Sequence, residues 1–271
     1  SPDGKHVVAS SMEGEASKVK IWEVATGNCI STLTGHTGYY GNIPSVNFSS
    51  DGKFIVSGSW DGTAKIWDVA TGKCHSTLSG HQGYVPCVDF SRDGKYVASG
   101  SADKNVKIWD FATGNCVSTL TGHSSLIRGV SFSPDGKHVV ASSMEGEASK
   151  VKIWEVATGN CISTLTGHTG YYGNIPSVNF SSDGKFIVSG SWDGTAKIWD
   201  VATGKCHSTL SGHQGYVPCV DFSRDGKYVA SGSADKNVKI WDFATGNCVS
   251  TLTGHSSLIR GVSFSPDGKH V

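Results

Sequence analysis

A 132-residue unit that occurs twice limits what this chain can fold into. Residues 1–132 and 133–264 are identical at every position, and residues 265–271 repeat residues 1–7. Within the unit the phrase Ser-x-Asp-Gly-Lys recurs, and its aspartates are Asp3, Asp51, Asp93 and Asp135. This spacing divides each unit into three related modules of about 42 residues, so the chain holds six. One such module cannot bury an apolar face alone, which predicts a single domain over the whole chain.

Each module predicts four short strands. In residues 82–123 the runs with β-propensity and a period of two are YVPCVDF, KYVASGS, NVKIWDF and NCVSTLT. The segments between them, SRDG, ADKN and ATG, have the Asp, Asn and Gly content of tight turns. No stretch has the length or the 3.6-residue period of a helix. The predicted fold class is therefore all-β, with four antiparallel strands in each module.

The charge balance and the cysteines limit the classes of partner. Lys and Arg total 23, as do Asp and Glu, which disfavours nucleic acid or an anionic membrane as a partner. No apolar run approaches the roughly 18 residues of a membrane span, and no signal peptide opens the chain. The eight cysteines form no Cys-x-x-Cys pair and lack zinc-ligand spacing. We therefore expect no metal or other cofactor, and free thiols in a reducing, cytoplasmic compartment.

The order of short motifs resembles a WD40 repeat. Gly-His, Ser-x-Asp-Gly, Ser-Gly-Ser-x-Asp and Lys-Ile-Trp-Asp follow one another at near-constant spacing, and the resemblance covers the whole chain. It implies a β-propeller of six four-stranded antiparallel blades around a channel. Closure is expected by pairing of the N-terminal strands with the last innermost strand, LIRGVSF at residues 258–264. Because residues 265–271 and 1–7 compete for one place, one copy is expected to be displaced or disordered. A ring or a swapped oligomer built from several chains is the alternative to a monomer.

The resemblance also implies a hydrogen-bonded relay of His, Ser, Asp and Trp within each blade. A buried carboxylate needs several donors, which this set of residue types supplies. The matching residues are His36, Ser57, Asp61 and Trp67; His81, Ser99, Asp103 and Trp109; His168, Ser189, Asp193 and Trp199; and His213, Ser231, Asp235 and Trp241.

The third type of module lacks the relay aspartate. Its hairpin is longer, and Trp-Asp becomes Trp-Glu. The remaining members are His255, Ser10 and Trp22 in one copy, and His123, Ser142 and Trp154 in the other. Glu13 or Glu15 is the expected substitute for the aspartate. We expect these blades to be the weakest of the three types.

Hydrolases use the same Ser, His and Asp residue types, so an enzymatic interpretation has to be considered. The chain contains no Gly-x-Ser-x-Gly elbow, no phosphate-binding loop and no His-Glu-x-x-His motif. The set also recurs from module to module. The sequence therefore favours a structural role for these residues and a protein that is not an enzyme.

The loops at one end of the predicted ring are the expected partner site. In the family, contact residues lie just before the relay aspartate and near the start of the innermost strand. The matching candidates are Trp60, Tyr39, Tyr40, Asn42, Tyr84 and Arg128, with their copies Trp192, Tyr171, Tyr172, Asn174, Tyr216 and Arg260. An end face rich in Trp, Tyr and Arg is typical of an interaction hot spot, and Trp60 can hold a Lys or Arg side chain by cation–π contact. The alternative is that Trp60 packs on the neighbouring loop.

These observations predict a non-catalytic scaffold that binds a protein or peptide on its loop face. Identity over 132 residues indicates an engineered or very recent duplication of a three-blade fragment, and an engineered propeller of this kind is expected to have no evolved partner. The alternative is a sensor or scaffold domain of a larger signalling protein, because the parental repeats are similar to the self-similar WD40 arrays of such proteins.

Overall fold

In the computed structural model, the elements are short strands joined by turns, as the sequence predicts. The structure describes residues 1–13, 16–37, 42–145, 149–169 and 174–271, without the side chains of residues 11–13 and 16. The predicted contact residues Tyr39, Tyr40, Tyr171 and Tyr172 lie outside the described residues.

The described strands form six antiparallel sheets in chain order. Sheet 1 contains β1 (His6–Glu13), β2 (Ala16–Glu23) and β3 (Cys29–Leu33). Sheet 2 contains β4 (Ser45–Phe48), β5 (Phe54–Gly58), β6 (Ala64–Asp68) and β7 (Cys74–Leu78). Sheet 3 contains β8 (Cys87–Phe90), β9 (Tyr96–Gly100), β10 (Val106–Asp110) and β11 (Cys116–Leu120). Sheet 4 contains β12 (Ile127–Phe132), β13 (His138–Ser143), β14 (Val151–Glu155) and β15 (Cys161–Leu165). Sheet 5 contains β16 (Ser177–Phe180), β17 (Phe186–Gly190), β18 (Ala196–Asp200) and β19 (Cys206–Leu210). Sheet 6 contains β20 (Cys219–Phe222), β21 (Tyr228–Gly232), β22 (Val238–Asp242) and β23 (Cys248–Leu252).

The Ser-x-Asp-Gly-Lys phrase builds the turn between the first two strands of a sheet. In sheet 2 the hydroxyl of Ser49 donates to Asp51 Oδ1 at 2.6 Å, and the amide of Lys53 donates to the same oxygen at 3.0 Å. Gly52 follows with φ of 72°, in the left-handed region that favours glycine. The aspartate side chain therefore stabilises the turn by accepting hydrogen bonds, and the glycine lets the chain reverse its direction into the antiparallel second strand.

The core lies in the seams between consecutive sheets. At the seam between sheets 3 and 4, Val106, Ile108 and Leu120 pack against Val139 and Trp154, and all five are buried. The innermost strands also contact one another in the order β4, β8, β12, β16 and β20. A bond from the Phe132 amide to Asp89 Oδ2, 2.9 Å long, links β12 to β8. The sheets therefore follow one another about a common axis, as a propeller requires.

Sheet 1 differs from the expectation of four strands. Its innermost strand was predicted from residues 258–264, but in the described structure these residues form no strand and do not pair with β1. Both copies of the duplicated phrase form their own turn, with bonds from Gly4 N to Ser1 O at 3.0 Å and from Gly268 N to Ser265 O at 2.8 Å. The two turns lie side by side, since a Cβ at Gly4 would lie 3.9 Å from Pro266 Cδ, so each copy keeps its own position. Closure of the ring by strand pairing stays a prediction.

Candidate functional site

The structure brings the predicted relay residues together in sheet 2. Trp67 Nε1 donates to Ser57 Oγ at 2.8 Å, and the Ser57 hydroxyl donates to His36 Nε2 at 2.7 Å. His36 Nδ1 then donates to Asp61 Oδ2 at 2.8 Å. This assignment of protons follows from the network, since an indole is only a donor and a carboxylate only an acceptor.

The same chain of three hydrogen bonds recurs in sheets 3, 5 and 6. Its bonds from His to Asp measure 2.7, 2.8 and 2.8 Å, in that order. The members are His81, Ser99, Asp103 and Trp109; His168, Ser189, Asp193 and Trp199; and His213, Ser231, Asp235 and Trp241. The same geometry in four sheets is what a motif that stabilises each module would produce.

Hydrogen bonds hold the relay carboxylates ionised despite their burial. Burial by itself raises the pKa of Asp61, but donation from His36 and Thr63 outweighs it, and the net pKa lies well below the ordinary value. The hydroxyl-bearing Ser57 is completely buried and already accepts the indole hydrogen of Trp67. A substrate in solution therefore has no path to this hydroxyl, which supports the structural role of the Ser, His and Asp set.

Sheet 4 uses a glutamate where the other relays have aspartate. Glu145 Oε1 accepts from His123 Nδ1 at 2.9 Å and from the Ser124 amide at 3.0 Å, and its Oε2 lies 3.1 Å from Lys150 Nζ. Burial by itself raises the pKa of Glu145. Donation from the Ser124 amide and from His123 outweighs burial, and the net pKa is about 2. Glu145 is the copy of Glu13, one of the two substitutes predicted from the sequence. The side chains of Glu13 and Glu15 lie outside the described residues.

The rest of the relay is broken in sheet 4. Ser142 Oγ donates to the carbonyl of Ile175 at 2.7 Å, and Trp154 Nε1 donates to the carbonyl of Thr121 at 3.2 Å. His123 Nε2 is therefore buried without a hydrogen-bond partner among the described residues. An unpaired buried polar atom costs about 1–3 kcal/mol, which supports the expectation that this module type is the weakest.

In sheet 1 the surviving relay residues are not brought together. Ser10 Oγ donates to the carbonyl of Ile43, and His255 is exposed. His255 lies next to residues 258–264, which are not paired with sheet 1 in the described structure. The relay of this sheet therefore depends on the closure that the structure lacks.

The structure places Trp60 on the surface in contact with the next module. Its ring lies 5.4 Å from that of Tyr84 with the planes tilted by 42°, and 41% of the residue is exposed. The copy, Trp192 with Tyr216, has a ring distance of 5.3 Å and a tilt of 39°. We call these two contacts the aromatic pairs. The alternative of packing on the neighbouring loop is thus realised in part, while a large share of the indole remains open.

Backbone hydrogen bonds fix the loops that carry the first aromatic pair. The amide of Trp60 donates to the carbonyl of Asn42 at 2.9 Å, and the amide of Ala102 donates to the carbonyl of Tyr84 at 2.8 Å. The equivalent bond from Trp192 to Asn174 is also 2.9 Å. Each indole therefore stands on a loop held by hydrogen bonds within its own module, which preorganises the surface for contact.

The other predicted contact residues have mixed positions. Asn42 and Arg128 are half-buried, and Arg260 is exposed. Asn174 is only 2% exposed, and neither polar atom of its side chain has a partner among the described residues. Asn174 thus contributes its backbone carbonyl to the end face and no accessible side chain.

Two carboxylates at the innermost strands were not predicted from the sequence. Asp89 Oδ2 accepts from the Phe132 amide, and burial raises the pKa of Asp89 to about 7. Its copy Asp221 accepts from the Phe264 amide at 3.1 Å, and burial raises its pKa to about 6. The signal was the third residue of each innermost strand, which is Asn47 in β4 and aspartate in β8. Within the described residues, no three or more His, Cys, Asp or Glu side chains form a group that can hold a metal ion.

A family model for the WD domain, G-beta repeat, matches six segments of the chain. They are residues 27–68, 72–110, 114–155, 159–200, 204–242 and 246–271. The chain belongs to the WD40-repeat family. The first five matched segments end at the last residue of the third strand of a sheet, so these boundaries of the WD40 match follow the modules seen in the structure.

Two relatives match shorter stretches of this WD40 chain. The "Periodic tryptophan protein 2 homolog" of Schizosaccharomyces pombe is 39% identical over 62 residues, 23% of this chain and 7% of that protein. The protein of the same name from Neurospora crassa is 40% identical over 63 residues, 23% of this chain and 6% of that protein. The matches therefore span less than a tenth of either relative. No helix in the described part of the chain is long and apolar enough to cross a membrane.

Proposed function

We propose that this WD40 array is a non-catalytic scaffold that binds a protein segment through the aromatic pairs of its end face. The observation that carries the proposal is the contrast between two kinds of tryptophan. Trp67, Trp109, Trp154, Trp199 and Trp241 are almost completely buried, whereas Trp60 and Trp192 stand open on fixed loops. Exposed Trp beside Tyr is the composition of an interaction hot spot.

The tilted rings favour a basic side chain as the contact group. A Lys or Arg side chain over an indole face gains about 0.5–2 kcal/mol from cation–π attraction. The chain has no net charge at pH 7, so the attraction has to come from such local contacts and not from a general field. Because the two aromatic pairs are copies, a segment with two suitably spaced basic residues would gain further by avidity.

Substitution of both exposed tryptophans tests the proposal. The Trp60→Ala/Trp192→Ala variant is compared with the unmodified chain for binding of a fluorescein-labelled Gly-Arg-Gly-Arg-Gly peptide by anisotropy. We expect an affinity loss of about threefold to thirtyfold at each aromatic pair, because its one cation–π contact is removed. The matched control is Ile30→Ala/Ile162→Ala, which alters two exposed copies on the outer strands β3 and β15. Equal affinity of the tryptophan variant and the unmodified chain would remove the aromatic pairs from the site.

We also propose that the chain functions as a monomer in a reducing, cytoplasmic compartment. The eight cysteines are all unpaired, and six of them are exposed. Exposed thiols persist where glutathione and thioredoxin keep them reduced. Light scattering of the reduced protein should give a mass near 28.5 kDa, whereas a multiple of that mass would contradict the monomer.

For the origin of the chain, we propose an engineered or very recent duplication of a three-module unit. Support comes from the identity of residues 1–132 and 133–264. Comparison of the synonymous codons of the two halves distinguishes the routes. Divergent codons favour a synthetic gene, and matching codons favour a recent duplication.

A further inference from the structure

Sheet 1 has an empty position where sheet 4 has its innermost strand. Residues 6–13 and 138–145 have the same sequence, and β13 pairs with β12 through Gly129 with Ser142 and Phe132 with Val139. In the described structure β1 pairs with β2 alone. The inner edge of β1, which faces away from β2, therefore offers unpaired backbone groups to an added strand. We call this position the strand slot.

The strand slot has an apolar floor that is only partly covered. Val8, Val46 and Phe48 are half-buried at the margin of the core between sheets 1 and 2. Their copies Val140, Val178 and Phe180 are buried at the equivalent place, the seam between sheets 4 and 5. A strand in the slot would complete the same burial beside Val8, Val46 and Phe48.

A cavity of about 800 Å³ lies along the slot, and Val8, Phe48 and Phe264 are among the residues that line it. The slot is therefore both open to solvent and partly apolar. An empty space of this kind beside an unpaired strand edge can take a further extended segment.

The chain's own last segment occupies the next position along the row of innermost strands. Phe264 N donates to Asp221 Oδ2 at 3.1 Å, as Phe132 N does to Asp89, so residues 258–264 lie against β20. A Cβ at Gly4 would lie 3.9 Å from Pro266 Cδ, close to the 3.4 Å between a Cβ at Gly184 and Pro134 Cδ. Pro134 belongs to the sheet that precedes that of Gly184. The tail thus sits beside sheet 1 as a preceding module would, and it leaves the slot open.

We propose that the strand slot binds an extended peptide segment of another polypeptide, which adds to β1 as an innermost strand. The row of innermost strands, already built from β4 to β20, continues on both sides of the slot, so the added strand would extend an existing interface. This site is distinct from the aromatic pairs and does not depend on them.

Residues 127–132, Ile-Arg-Gly-Val-Ser-Phe, define the sequence that the slot accepts, because they fill the identical position in sheet 4. Glycine at the third position is required. A Cβ at Gly129 would lie 2.9 Å from Ser142 Oγ and 3.2 Å from Val178 N. In the slot the corresponding residues are Ser10 and Val46. Isoleucine, valine and phenylalanine supply the apolar side chains, since Ile127, Val130 and Phe132 are buried in sheet 4.

A synthetic peptide tests the slot directly. A labelled peptide with the sequence of residues 126–132, LIRGVSF, is titrated against the full chain and followed by anisotropy. Saturable binding is expected, and a peptide with valine in place of glycine should bind at least about tenfold more weakly because of the close contacts. Absence of saturable binding, including through occupation of the slot by the chain's own tail, would overturn the proposal. Equal binding of the two peptides would also overturn it.

A variant of the floor locates the bound peptide. Val46→Arg places a charged side chain where the glycine has to lie, and peptide binding should fall by about tenfold or more. Ile30→Arg is the control, because Ile30 is exposed on β3 and does not line the cavity. Circular dichroism and thermal melting establish that both variants are folded. Undiminished binding to a folded Val46→Arg variant would place the peptide elsewhere and contradict the proposal.

Discussion

Asp61 receives four hydrogen bonds, which is the full capacity of a carboxylate. Oδ2 accepts from His36 Nδ1 and from the Thr37 amide, and Oδ1 accepts from the amide and the hydroxyl of Thr63. The carboxylate therefore joins the segment of His36 and Thr37, which precedes sheet 2, to the turn between β5 and β6. A network in which each member is satisfied stabilises the fold, but loss of one member leaves the others unpaired.

Removal of this carboxylate from both copies should destabilise the protein. In Asp61→Ala/Asp193→Ala, His36 and His168 lose their acceptors inside the seam. We expect a loss of about 2–4 kcal/mol per site, measured as a lower midpoint of urea unfolding. The control variant is Lys53→Ala/Lys185→Ala, whose side chains are largely exposed and should leave the midpoint unchanged. An unchanged midpoint in the aspartate variant would refute the structural role.

Asp89 and Asp221 should make the stability of the protein fall as the pH rises. The pKa of Asp89 rises from 3.8 to about 7 on folding, so the folded state binds this proton more tightly than the unfolded state. The contribution of the group to stability is therefore lost progressively as the pH rises from about 4 to about 7. The equivalent position in β4 holds Asn47, whose Nδ2 donates to the carbonyl of Val88 at 2.8 Å.

Asp89→Asn/Asp221→Asn should be more stable than the unmodified chain at pH 8, by about 1–3 kcal/mol per site. The asparagine keeps an acceptor for the Phe132 amide and carries no charge. Urea midpoints of both proteins at pH 5 and pH 8 give the difference directly, because the two proteins differ only at these two sites. A difference that does not grow between pH 5 and pH 8 would argue against a raised pKa.

The residues of the relay could be predicted where the motif is regular. Sheet 4, where a glutamate replaces the aspartate, could be predicted only in part. The sequence indicated that Glu13 or Glu15 replaces the aspartate, and Glu145, the copy of Glu13, does so in sheet 4. The unpaired Nε2 of His123 was not predictable. It follows from the rotation of Ser142 toward a carbonyl 33 residues away, which is a tertiary contact with no local signal.

At the scale of the element, strand positions followed closely from the pattern of the sequence. The run KYVASGS contains β9, and NCVSTLT contains β11, each with its ends inside the predicted segment. β8 begins at Cys87, three residues into the run YVPCVDF. Pro86 precedes it and has no amide to donate to a ladder, which accounts for the later start. The pattern of β-prone residues thus predicts where each strand lies, and a single proline determines the residue at which β8 begins.

The hairpin turn of sheets 3 and 6 is strained at a lysine. Lys104 and Lys236 have φ of 74°, whereas Gly62 occupies the same position in sheet 2 with φ of 86°. A side chain in the left-handed region costs about 1–2 kcal/mol, and glycine adopts it freely at some cost in unfolded-state entropy.

Lys104→Gly/Lys236→Gly is therefore expected to stabilise the protein by about 0.5–1 kcal/mol per site. Urea unfolding of this double variant should show a higher midpoint with the same slope. The comparison variant is Lys107→Gly/Lys239→Gly, which places glycine within the strands β10 and β22 and should lower the midpoint. A lower midpoint for the turn variant would show that the side chain of Lys104 contributes more than its backbone strain costs.

At the scale of the whole molecule, identical sequences have different environments because the array has two ends. β23 is exposed along its whole length, whereas its copy β11 ends in the buried Leu120. Leu252 is 41% exposed and Leu120 only 1%. At the other end Val7 is 53% exposed, and its copy Val139 is fully buried in the seam between sheets 3 and 4. Leu120 and Val139 pack in the same core, so the exposed surfaces of sheet 6 and sheet 1 that carry their copies are complementary to each other.

Hydrogen exchange followed by mass spectrometry can detect this asymmetry within a single spectrum. Residues 115–121 and 247–253 yield one and the same peptide, so their two environments contribute to one isotope envelope. Because the outer strand of sheet 6 has no covering sheet in the described structure, its amides should exchange faster by local opening. We expect two resolved envelopes for this peptide.

The peptide from residues 73–79 and 205–211 is the internal control, since Leu78 and Leu210 are both fully buried and should give one envelope. A single envelope for both peptides would mean that sheets 1 and 6 cover each other in solution. The strand slot would then be filled by residues 258–264, and the LIRGVSF peptide would find no free edge. The two experiments therefore test the same gap between sheets 6 and 1. Hydrogen exchange reports on sheet 6, and peptide binding reports on sheet 1.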